Sequence, residues 1–200
     1  LLYRRLTPEL RRFDPLIAGA TFFASRMSPE EGMGGSYRDL LDGAFANETP
    51  AQKRIRNATC LLGDIGAFFH PDMRADQAFD TALRAPFYGV THPERAAIAL
   101  SLFCRHAGAK TPAGGSAVIN LMSEDEKKRA TQIGLGLRFG AAIAPKAPHA
   151  MRQCSFSVKN DELQFRAPEA LRALIDETAR KRLDAFAAST GLKPSIDFQS

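Results

Sequence analysis

The stretch Arg54-Ile55-Arg56-Asn57-Ala58-Thr59-Cys60-Leu61-Leu62-Gly63-Asp64-Ile65-Gly66, followed by Ala67-Phe68-Phe69-His70-Pro71, decides the fold class of this chain. Ile55, Leu62 and Phe69 fall on one side of a helical projection, with Ala51, Ala58 and Gly66 beside them. One apolar stripe at helical period predicts an amphipathic helix over 50–69, with Asp64 in its interior. Thr49-Pro50 supplies its start: a capping hydroxyl, then a proline suited to the first helical position.

The same grammar recurs outward from this segment. Thr7-Pro8 and Asp14-Pro15 pair a capping side chain with a proline. Ser123 with Glu126 makes a capping box, and acidic residues 124–126 suit the positive end of the helix dipole. The pattern predicts further helices over 7–12, 15–27, 36–46, 73–85, 92–107, 116–122 and 124–144. Gly32-Met33-Gly34-Gly35 and Thr111-Pro112-Ala113-Gly114-Gly115 read as loops. After Pro145-Lys146-Ala147-Pro148 the character changes. Cys154–Val158 and Glu162–Arg166 alternate around a polar turn, Lys159-Asn160-Asp161, as a β-hairpin does. A last amphipathic helix is predicted over 168–190, carrying Leu171, Ile175, Leu183 and Phe186 and closed by Gly191. The fold class is mainly α, with a small C-terminal α+β extension of hairpin plus helix.

The chain has 200 residues, 44% of them hydrophobic, enough for one full core. Charge and proline interrupt every apolar run, so no bilayer span is expected. The opening Leu1-Leu2-Tyr3-Arg4-Arg5 has neither Met nor a signal-peptide layout, and reads as a piece of a longer polypeptide. Cys60, Cys104 and Cys154 are odd in number and widely spaced. They read as small buried apolar residues, which suits a reducing cytoplasm. A formal charge of +5 favours an anionic partner. Three Tyr and no Trp leave few stacking platforms, which argues against a nucleic-acid reader.

A metal phosphohydrolase of the HD type needs a His from an early helix, an adjacent His-Asp pair and a late Asp. Here no His precedes His70, and Gly63 stands where the doublet would place its His. The late helix ends Phe139-Gly140-Ala141-Ala142-Ile143-Ala144, without a carboxylate. Gly63-Asp64 is thus a degenerate HD position, and no metal set or catalytic residue is expected. Gly134-Leu135-Gly136-Leu137-Arg138-Phe139-Gly140 has no preceding strand and reads as a close-packing helix face, not a dinucleotide loop. Lys53, Arg54 and Arg56 lie in the first turns of their helix. There they sit against the dipole, and together with exposed helix N–H groups they make a candidate anion site. Arg74, Arg84, Arg95 and Arg105 extend that candidate surface.

These blocks resemble the C-terminal part of the Ppx/GppA family, the exopolyphosphatases and guanosine pentaphosphate phosphatases. Arg54–Ile65 is similar to the family's helix with the degenerate HD position. His70-Pro71-Asp72-Met73-Arg74-Ala75-Asp76-Gln77-Ala78-Phe79 and Gly89-Val90-Thr91-His92-Pro93-Glu94-Arg95 resemble the blocks after it, as do Gln132–Ile143 and the hairpin. The resemblance implies an HD-like helical domain over 1–147 and a small hairpin-and-helix subdomain over 148–200. It implies a C-terminal region that binds polyphosphate or another polyanion, through Lys53, Arg54, Arg56, Arg74 and Arg84, and supports a homodimer. Hydrolysis of phosphoanhydrides would then belong to actin-like catalytic domains of the same polypeptide, with Mg²⁺, and no cofactor is expected in this chain. Two other readings stay open: a stand-alone metal-dependent HD phosphohydrolase and a purely structural dimerisation module.

Overall fold

The computed structural model describes Thr7 and residues 13–199; apart from Thr7, the helix expected over 7–12 lies outside them. The described chain is mainly α with a small α+β extension, as the sequence predicts. Helices α1 (Pro15–Met27), α2 (Met33–Asp42), α3 (Pro50–Leu61), α4 (Arg74–Arg84), α5 (His92–Ala107), α6 (Ser116–Ile119), α7 (Glu124–Ile143) and α8 (Pro148–Met151) precede the hairpin of β1 (Ser155–Lys159) and β2 (Glu162–Pro168). Helix α9 (Glu177–Thr190) and strand β3 (Lys193–Gln199) follow. No helix among the described residues is long and apolar enough to cross a membrane.

The helix starts rest on side-chain caps. Capping boxes close three of them: Thr49 with Gln52, Thr91 with Glu94, and Ser123 with Glu126. Asp14 accepts from the N–H groups of Leu16 and Ile17 to start α1. At the other end of α4, the Arg95 guanidinium donates to the carbonyls of Ala82, Leu83, Ala85 and Phe87. Arg95 therefore satisfies the helix's orphan acceptors and does not widen an anion surface.

Several elements differ from expectation: Met33-Gly34-Gly35, read as a loop, open helix α2, and the short α8 was not predicted. Helix α3 stops at Leu61, not at 69. Beyond it the N–H groups of Gly63, Ile65, Ala67 and Phe69 each bond three residues back, winding a series of tight turns. A side chain at Gly63 would meet the Tyr37 ring within 3.0 Å, so the turns approach α2 as only glycine allows. The helix expected over 168–190 is split: residues 169–174 form a 3₁₀ segment, and the Asp176 side chain accepts from the N–H of Ala179 to restart the chain as α9. Strand β3 was not expected. It pairs parallel with β2, giving a mixed sheet of order β1-β2-β3. Parallel pairing needs a crossover, and α9 is that crossover. The N–H of Lys193 donates to Asp161 on the β2 side, which turns Pro194 toward the open edge. The missing donor of Pro194 blunts that edge against further strand pairing.

Two apolar cores result. One gathers α1, α3, α4 and α5 around Leu16, Leu62, Phe79, Leu102 and Phe103. The other joins α2 and α7 to the sheet and α9, so it crosses the boundary expected at residues 147/148. Its centre is a run of rings: Phe139 lies 4.8 Å from Phe165, and Phe156 lies 5.4 Å from Phe139, Phe165 and Phe186. Helices α5 and α7 meet where a side chain at Gly134 would come within 2.4 Å of the Ser101 carbonyl. The glycine-rich segment is a packing face.

Between the cores lies a knot of charge. The Arg56 side chain has no solvent exposure and Glu48 keeps only 3%. Arg56 donates through Nε at 2.9 Å and Nη2 at 2.7 Å to Glu48, and through Nη2 to Asp42 at 2.7 Å. Arg129 of α7 also pairs with Glu48. Removing one partner of such a pair leaves a bare buried charge, which typically costs about 3–5 kcal/mol. Glu48→Gln is therefore expected to lower unfolding stability by about 3 kcal/mol, while Lys127→Ala, at an exposed i,i+3 pair, should change it by less than about 0.5 kcal/mol. Urea unfolding of both variants checks this; equal midpoints would show the knot to be dispensable.

Candidate functional site

The expected cationic cluster does not converge. Lys53 pairs with Asp42 at 3.0 Å. Arg54 turns to Asp14 and to the Gly89 carbonyl. Burial raises the Asp14 carboxyl, but Arg54 together with the N–H groups of Ile17 and Leu16 holds it below its ordinary range. Arg56 is committed to Glu48 and Asp42, as described. Arg84 is exposed and lies 3.9 Å from Asp80. Of the five cations expected to meet a polyanion, Arg74 alone lines a cavity with unneutralised neighbours.

That cavity, of about 440 Å³, opens where the turns after α3 meet α2, α4, α5, α7 and α9. Its wall carries Arg74, Arg105, Arg138, Lys146 and Arg182, with His106, Tyr37 and Asp64. Among the described residues lining it, Asp64 is the single carboxylate against five cations; Asp176, outside the wall, acts on Arg182. The acceptors of three of these cations are neutral. Arg74 donates to the carbonyls of Ala67 and Phe69. Arg138 donates to those of Arg105 and His106, at the dipole-negative end of α5. Arg182 donates to that of Arg138. Lys146 stands at the rim in the left-handed region, with φ 56°.

Asp64, the degenerate doublet's surviving member, is spent on Arg105. The Arg105 Nη2 donates to Asp64 and, at 3.2 Å, to the Tyr37 hydroxyl, which in turn donates to Asp64 at 3.1 Å. Burial works against the Arg105 charge, but its contacts with Tyr37 and Asp64 hold its pKa above the ordinary value. Burial likewise pushes the Tyr37 hydroxyl up. Arg138 and Arg182 are held below their ordinary values, first by burial and then by repulsion from Arg105 and, for Arg138, from Arg182. Among the described residues no group of three or more His, Cys, Asp or Glu side chains converges as a metal centre requires.

His106 sits against this charge. Its Nδ1 lies 3.3 Å from Arg105 Nη1, and Nε2 is buried with no hydrogen-bond partner. A side chain at Gly66 would come within 2.4 Å of that Nε2, so the second glycine of the turn segment makes room for the ring. Burial, then Arg105, Arg74 and Arg138, press the imidazole pKa down to about 3.

Sequence reasoning named Arg74, Asp64 and Arg105. It missed Tyr37, Arg138, Lys146 and Arg182 as wall residues. One signal was present: Arg138 interrupts the otherwise apolar run Ile133-Gly134-Leu135-Gly136-Leu137-Arg138-Phe139-Gly140. A charge on a glycine-smoothed buried face is out of place unless that face borders a cavity.

Because the folded state disfavours the imidazolium, the unfolded chain binds more protons between about pH 6.5 and the depressed value. Without ligand, stability should therefore fall as pH drops below about 6.5, and His106→Gln should flatten that slope. Denaturant unfolding from pH 7 to pH 4.5 measures it; an unchanged slope in the variant would remove His106 from the balance.

No curated protein matches the chain. A family model does, described as exopolyphosphatase, C-terminal, and it covers residues 38–196. That span holds all five blocks singled out above, the Gly63-Asp64 position, and every charged residue of the cavity wall. On this match the chain belongs to the exopolyphosphatase C-terminal family.

Proposed function

We propose that this chain is the polyanion-binding and dimerisation region of a cytoplasmic exopolyphosphatase, and that phosphoanhydride hydrolysis is carried out by catalytic domains of the same polypeptide outside these residues. The observation that carries the reading is the cavity wall, where Arg74, Arg105, Arg138, Lys146 and Arg182 face a single carboxylate. Packing like charges together is unfavourable, and a partner that brings several negative charges repays it. Polyphosphate has one charge per repeating unit and oxygen acceptors that match guanidinium donors in pairs. The Mg²⁺ of the reaction belongs with the catalytic domains, since Asp64 here is engaged by Arg105 and Tyr37. These residues bind and orient; none is placed to deliver a nucleophile.

Polyphosphate affinity of the chain, measured by calorimetry, is expected to fall steeply between low and physiological salt, as screening weakens the cationic field. Arg138→Ala with Arg182→Ala should lower it roughly tenfold or more, the scale of lost charge-assisted hydrogen bonds. Lys53→Ala with Arg84→Ala, both exposed and each beside an aspartate, should leave it within roughly twofold. The reverse ranking would move the polyanion surface to the start of α3. The dimer is tested separately by sedimentation: a mass rising from one chain to two with concentration is expected, and a constant single-chain mass would count against it.

A further inference from the structure

His106 contributes no charge to the cavity as it stands. Cations from three helices crowd the ring: Arg105 on its own helix α5, Arg74 on α4 and Arg138 on α7. The turn segment packs on its other side through Gly66. Asp64 and Tyr37 face Arg105 and not the imidazole. Arg182 and Lys146 complete the charged wall. Arg105 Nη1 reaches Nδ1 at 3.3 Å, and a guanidinium only donates, so Nδ1 accepts and the neutral ring carries its proton on Nε2. The ring thus holds one of the Arg105 N–H groups away from the open space.

Resting on the polyanion reading above, we propose that His106 couples oxyanion binding in this cavity to proton uptake. A phosphate or sulfate group in the cavity offsets the three cations that oppose the imidazolium. The proton comes from solvent and goes to Nδ1, the free acceptor position of the ring. A protonated Nδ1 no longer accepts from Arg105 Nη1, and that N–H turns to the anion's oxygens. Proton and anion therefore help one another, and the coupling is reciprocal: the anion raises the proton affinity of the ring by the factor by which the proton raises the affinity for the anion. The site holds its anion more tightly as pH falls.

The chain itself tests this. His70, His92 and His149 are exposed and are replaced together by Gln, leaving His106 as the one imidazole. Its ring-proton NMR shift is followed against pH in the free protein, with saturating sulfate, and with long-chain polyphosphate, occupancy being fixed by calorimetry. Sulfate takes up its own proton only in stronger acid than the free midpoint, so above that midpoint its arm isolates the protein's own proton. The midpoint is expected to rise by about one pH unit or more with either anion, which makes the anion roughly tenfold tighter at pH values below both midpoints than above them. His106→Gln should lose most of that pH dependence. An occupied cavity with an unmoved midpoint would overturn the coupling and leave the polyanion reading intact. Absence of binding by both anions at every pH would overturn both.

Discussion

A guanidinium with no access to water has to find its counter-charge where it lies, and Arg56 imposes that condition on this fold. It sits on α3 between the two apolar cores, and its charge is met by Glu48 from the loop before α3 and by Asp42 at the end of α2. Glu48 is in turn gripped by Arg129 of α7. Both arginines also lie over the Phe45 ring, at 5.6 Å and 5.2 Å. Two carboxylates thereby tie three helices together: Glu48 joins α3 to α7, and Asp42 joins α3 to α2. Burying this set costs desolvation that an apolar substitute would avoid. What it supplies is register: the helices can slide only by stripping a buried charge of its partner.

With α2, α3 and α7 fixed, the turns after Leu61 have one place to go. They wind toward Tyr37 and bring Asp64 under Arg105. The cavity is the space left where these turns meet five helices, and its charge follows from which residues those helices present. The contrast with the knot is instructive. At Glu48 two arginines share one carboxylate, and Asp42 adds a second for Arg56. At Asp64 one arginine takes the carboxylate, and four more cations stand round a cavity whose wall holds no second one. The first arrangement pairs its cations with acids, and the second leaves an excess of positive charge.

Gly63 offers no ligand atom beside Asp64, and it admits the Tyr37 ring within contact distance of the backbone. Gly66 does the same for His106. The two glycines allow close packing of a tyrosine ring and an imidazole against the turns.

The amino-acid sequence alone determined the helical class, the hairpin, most helix starts and the family, because capping boxes, N-terminal prolines and apolar period are local signals that survive without tertiary context. It also determined that Gly63-Asp64 lacks the donor atoms of a metal set. It did not determine the end of α3, since residues 62–69 keep helical spacing while the glycines at 63 and 66 pull them into tight turns against α2 and α5. Strand β3 was equally hidden: Pro194 speaks against a strand, and only parallel pairing across α9 reveals why the proline is tolerated. Above all, the sequence could not sort its cations. Lys53, Arg54 and Arg56 stand together in sequence, and each is already committed to acids: Lys53 and Arg56 share Asp42, Arg56 also takes Glu48, and Arg54 takes Asp14. Arg74, Arg105, Arg138 and Arg182 are scattered along more than a hundred residues and meet on one wall. Which charges are neutralised and which are left free depends on distances between helices, and those exist only once the chain has folded.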